Sequence, residues 1–108
     1  MNTDSLRDAE GYLLNTDDWS EALAHEIANE EGIELNDTYW FVLGFMREYF
    51  QEHDIAPDVR HLIKYLATKN LCSKKEAKKL VFDLFPYGYV KQACKIAGMK
   101  KPRAWSTG

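Results

Sequence analysis

The stretch SKKEAKKLVFDLFPYGYVKQACKIAGMKKP, residues 73–102, decides the fold. Ser73 stands three positions before Glu76, which is capping-box spacing. The serine hydroxyl accepts from the backbone N–H of Glu76, and the glutamate reaches back to that of Ser73. Cys72 before the cap and Ala77 after it suit a small hydrophobic staple. Leu80, Val81 and Leu84 then recur at helical spacing, and Pro86 cannot continue a helix, so the pattern predicts a helix from Ser73 to Phe85. Gly88 opens a last helix over Tyr89–Ala97, and Gly98 closes it. From Met99 onward the periodicity is gone and a tail begins.

Working backward, Pro57 sits at a natural first helical position. Val59, Leu62, Ile63 and Leu66 form one apolar stripe, Arg60 and Lys64 point elsewhere, and the helix should end near Thr68. This helix, a short turn and the helix from Ser73 resemble a helix-turn-helix in length and spacing. Lys74, Lys75, Lys78 and Lys79 lie on the second helix, where a DNA reader carries its recognition side chains. Lysines favour phosphates, however, and the helix offers no Asn, Gln or Arg for bidentate base contacts. The cluster is therefore read either as a DNA-binding face or as a solvated basic face or protein-docking surface.

Toward the N-terminus, Asn36 caps a helix that runs to about His53. Trp40, Leu43 and Phe50, with Tyr39, Val42 and Met46 on another side, make nearly its whole circumference apolar, which places it at the domain centre. Gly44 in its interior costs about 1 kcal/mol against Ala, and its expected use is the close approach of a neighbouring helix. Before it, Asp17 or Asp18 can cap a helix through about Glu31, with Trp19, Leu23 and Ile27 inward and Gly32 as the stop. DAEGYLLN around Gly11 reads as extended, or as a minor paired strand. The fold class is thus mainly α: a small helical bundle with a helix-turn-helix-like portion.

At 108 residues, with 45% hydrophobic and 29% charged residues, the chain has the size and composition of one ordinary globular domain. No apolar run approaches the roughly 18 residues of a membrane span, and the first residues lack signal-peptide order. The expected compartment is the cytoplasm, with Cys72 and Cys94 as reduced thiols. The net charge of −3 hides a division: residues 1–54 carry 2 Lys/Arg against 14 Asp/Glu, and residues 55–108 carry 12 against 3. Either the halves pack side by side with separately solvated faces, or the second half presents a basic surface to an anionic partner. His25, His53 and His61 fall on three different predicted helices and read as surface or capping residues, so no metal and no cofactor is expected. There is no Gly-rich phosphate loop and no Ser/His/Asp order, and hydrolytic catalysis has no support.

Cys94 is the one candidate chemical group. On a helix with Val90, Ala93 and Ala97 it can be a small buried hydrophobe. Beside Lys91 and Lys95 it can instead be an activated thiol, because nearby cations lower a thiol's pKa when the sulfur is accessible. Burial and reactivity shift that pKa in opposite directions. Cys72, in a connecting segment, reads as structural.

The residues LFPYGYVKQACKIAGMKKP, 84–102, resemble the C-terminal signature of the DsrC/TusE family. The resemblance extends back through EGYLLNTDDW, EGIELNDTYWFVLGFMREYF and IAPDVRHLIKYLA, covering residues 10–102. It implies a small cytosolic helical protein that carries sulfur as a cysteine persulfide, in dissimilatory sulfur metabolism or in the relay that thiolates tRNA, and that meets a sulfur-relay or sulfite-reductase partner. It also implies a bundle with an N-terminal β-hairpin, incomplete or absent here because the start is short. Residues 1–10 are then expected as a mobile N-terminus and residues 99–108 as a flexible arm.

The family's carrier cysteine follows the tail proline by three positions, and Trp105 stands there in this sequence. The family's second cysteine, eleven positions earlier, matches Cys94. The sulfur chemistry that the two thiols share in other members is thereby excluded. An indole offers no nucleophile, so the resemblance points to a member that docks a partner or regulates the pathway. Trp105 would anchor in a partner's pocket, or fold onto the protein's own surface, and Lys91, Lys95, Lys100, Lys101 and Arg103 would steer the arm. The alternative is that Cys94 has taken over persulfide chemistry.

Overall fold

The computed structural model describes residues 6–100. A 3-10 turn at Thr16–Asp18 precedes α1 (Glu21–Glu30), α2 (Asp37–His53), α3 (Val59–Lys69) and α4 (Lys74–Leu84), and a π-helical segment, Tyr89–Cys94, closes the series. The domain is mainly helical, as the periodicity predicts. In place of a hairpin, the described N-terminal residues form a single antiparallel bridge, Arg7 to Leu13.

Local chemistry sets the boundaries. α2 starts where the Asn36 side chain accepts from the N–H groups of Thr38 and Tyr39. α4 starts with the expected capping box between Ser73 and Glu76. Gly32, at φ +72°, ends α1, with the Ile33 N–H returning to the Ala28 carbonyl at 2.8 Å.

Four details differ from the sequence reading. Neither Asp17 nor Asp18 caps α1: Asn15 caps the 3-10 turn, Trp19 is extended, and Ser20 caps α1 by accepting from the Leu23 N–H. That extended residue lets the Trp19 indole reach the C-terminal segment instead of lying along a helix. Pro57 is not the first residue of α3, because the Asp58 side chain accepts from the Arg60 N–H and starts the helix at Val59. Gly44 admits no neighbouring helix, since a Cβ there would meet nothing within 4 Å. The last helix is π-helical through Cys94.

The core draws on every element. Ala24 and Ile27 of α1, Val42, Leu43 and Met46 of α2, Leu62 and Leu66 of α3, and Ala77 and Val81 of α4 meet Ala93, Ile96 and Ala97 of the closing segment. Burying each large aliphatic side chain contributes about 1.5–3 kcal/mol. α2 is central on its Val42, Leu43 and Met46 face, while Phe41 stays exposed and stacks on Tyr65.

Candidate functional site

The closing segment carries Cys94, and side chains from elsewhere hold it in place. Gly88, at φ +113°, turns the chain into the π helix, whose wider backbone ring is a recurrent feature of functional sites. At the far end the Gly98 N–H bonds the Lys95 carbonyl at 3.1 Å and the Met99 N–H bonds that of Cys94 at 3.0 Å. With Gly98 at φ +79° this is a Schellman stop. Met99, at the start of the expected arm, is buried.

Side chains from the first half of the sequence reach across to carbonyls of this segment. The Tyr12 hydroxyl donates to Val90 O at 3.0 Å. Trp19 Nε1 donates to Ile96 O at 2.8 Å. Arg47 donates to Ala97 O at 3.0 Å and to Thr16 O at 3.2 Å, with its guanidinium 4.4 Å from the Trp19 ring centre. Gln92 is buried: its Oε1 accepts from the Tyr87 N–H, and its Nε2 donates to Glu31. The other Glu31 oxygen pairs with Lys95 Nζ at 3.3 Å.

At the centre Cys94 is 0% exposed. Burial pushes its thiol up to about 12, against a lesser opposing pull from a hydrogen bond with Tyr89. The Tyr89 hydroxyl donates to the Pro57 carbonyl. Burial likewise raises the Tyr89 hydroxyl well above its usual value. The arrangement stabilises a thiol and disfavours a thiolate.

The other sequence candidates scatter. Lys91 and Lys100 are exposed on the closing segment. Lys95 is tied to Glu31 and lies 5.4 Å from the Tyr12 ring centre. Lys74, Lys75, Lys78 and Lys79 are exposed along α4, with Lys79 paired to Asp83 at 3.1 Å. Lys101, Arg103 and Trp105 lie outside the described residues. Cys72 is half-buried. His25 meets Trp40 edge-on, and His53 and His61 both lie against Tyr49, so the three histidines serve ring contacts.

Sequence reasoning missed Arg47, Gln92 and Glu31. Arg47 had a signal: it is one of only two Lys/Arg residues in the acidic first half, and it follows the apolar run at residues 39–46 of the central helix.

A family model described as DsrC like protein matches residues 2–104. The chain belongs to the DsrC-like family. Sulfurtransferase TusE of Yersinia pseudotuberculosis is 46% identical to this DsrC-like chain over 95 residues, covering 88% of this chain and 87% of that one. Sulfurtransferase TusE of Sodalis glossinidius is 45% identical over 100 residues, covering 93% and 92%. The solution structure of Allochromatium vinosum DsrC superposes with a TM-score of 0.78 at 42% identity, covering 92% of this chain and 88% of that one. The oxidized gamma-subunit of the dissimilatory sulfite reductase from Archaeoglobus fulgidus gives 0.73 at 32% identity, covering 91% and 89%. No helix among the described residues of the DsrC-like chain is long and apolar enough to cross a membrane.

Proposed function

We propose that this protein acts in cytoplasmic sulfur trafficking as a non-carrier member of its family, docking or regulating a sulfur-relay or sulfite-reductase-type partner. One observation carries the reading. The thiol left at the family's second cysteine position, Cys94, is fully buried and held protonated, while Trp105 occupies the carrier position. A persulfide carrier must present a thiolate to a donor and then the resulting persulfide to an acceptor, and the buried Cys94 sulfur can do neither without local unfolding. The names of the relatives, sulfurtransferases and a sulfite reductase subunit, support the pathway class.

In this reading Trp105 is the anchor of the arm, with Lys91, Lys100, Lys101 and Arg103 supplying its positive charge. Lys95 contributes less, because its ammonium is committed to Glu31. The duplex-binding alternative gains nothing from α4, where no base-reading side chain joins the four lysines.

Restoring the carrier tests the proposal. Wild-type protein and the Trp105→Cys variant are incubated with a cysteine desulfurase and free cysteine as persulfide donor, then weighed intact. The expected result is one added sulfur on the variant and none on the wild type. Equal loading of both would remove the proposal.

A further inference from the structure

Between α3 and α4 lies a small apolar concavity, closed on its inner side by Phe85 and Tyr89 and separate from the Cys94 side chain. Val59 and Ile63 of α3, Val81 and Phe82 of α4, and Phe85 and Tyr89 line it, with Lys78 at its edge. Its volume is about 90 Å³, well below the roughly 300 Å³ at which small-molecule sites begin. It has room for about one side chain. Phe82 forms its outer wall and is 56% exposed.

The surroundings are positive. Residues 57–86 carry seven Lys/Arg against three Asp/Glu. Lys74, Lys78 and Phe82 follow one another at four-residue spacing along a single stripe of α4, so two ammonium groups and the aromatic wall share one face. Of the acidic groups, Glu76 is engaged in the capping box with Ser73, Asp83 pairs with Lys79 and Asp58 pairs with Arg60. The carboxylates of this helix pair are occupied, and the stripe faces outward with a net positive field.

We propose that this groove docks an acidic protein segment: an amphipathic helix that inserts one aliphatic side chain between Ile63 and Phe82 and sets carboxylates against Lys74 and Lys78. The apolar floor selects a protein over a nucleic acid. A duplex would place phosphates and base edges over Val59, Ile63 and Phe82, which offer no hydrogen bond, whereas a leucine side chain gains burial there. The lysines supply the orientation and the encounter rate, and the pocket supplies the anchor. The site stands whether or not Cys94 carries sulfur.

The test uses the full-length protein labelled with nitrogen-15 and a synthetic amphipathic peptide with leucines at positions i and i+4 and glutamates elsewhere. The expected result is amide shifts confined to α3, α4 and Tyr89, with binding weakened at least tenfold by Phe82→Ser and again by Lys78→Glu. Both positions are exposed, and unchanged melting curves confirm that the variants fold. A peptide with the same residues scrambled binds at least tenfold more weakly. Absence of shifts, shifts centred on another face, or unchanged affinity in both variants overturns the proposal. Tighter binding of duplex DNA to the same residues also overturns it, in favour of a nucleic-acid surface.

Discussion

The Trp19 indole occupies the space that a side chain at position 98 would need. A Cβ built on Gly98 would lie 2.8 Å from both Cβ and Cγ of Trp19. Gly98 also holds φ +79°, a conformation that L side chains rarely adopt. Gly98→Ala therefore adds backbone strain to overpacking, and is expected to destabilise the fold by about 2–4 kcal/mol in urea unfolding. Gly44→Ala is the internal contrast: it lies inside α2 with open space at its Cβ, so the same change should stabilise by about 0.5–1 kcal/mol.

Arg47 links the acidic half to the last helical turn. Replacing it with Met keeps its bulk beside Trp19 but withdraws donors from the Ala97 and Thr16 carbonyls. Arg47→Met should cost about 3 kcal/mol by chemical denaturation, and Arg47→Lys, which restores charge without the two-pronged geometry, should recover only part of it.

The closing helix, the capping box and the glycine stops of the fold were legible because each is written locally. Ser73 with Glu76, Gly32 after α1, and Gly98 after Ala97 each announce a terminus within a few residues. What could not be read is long-range. The sequence does not say that Trp19 leaves its helix to bond Ile96, or that Glu31 reaches both Gln92 and Lys95. Cys94 shows the same limit: Lys91 and Lys95 suggested activation by proximity in sequence, yet Lys91 is exposed and Lys95 is paired with Glu31. Burial decides the sulfur's state, and burial is a property of the packed whole.

That burial predicts a pH dependence with a definite sign. Cys94 is raised from 9.0 to about 12 and Tyr12 from 10.0 to about 12, both chiefly by desolvation. Each group is neutral in the folded protein at pH values where the unfolded chain has begun to ionise. The stabilisation is fully present below pH 9 and is lost as pH rises from about 9 towards 12. Urea unfolding between neutral pH and pH 10.5 should show stability falling from about pH 9 upward, and Cys94→Ala should flatten the lower part of that fall, where Tyr12 has not yet begun to contribute.

The most direct measurement is the accessibility and sulfur loading of Cys94 in a Cys72→Ser background, which removes the half-buried second thiol. The protein is exposed to iodoacetamide at neutral pH, and separately to a desulfurase-generated persulfide donor, and weighed intact with and without denaturant. The account predicts alkylation at least a hundredfold slower in the native protein than in urea, and no added sulfur on native Cys94. Rapid native alkylation together with stoichiometric addition of one sulfur would contradict it and make Cys94 the carrier.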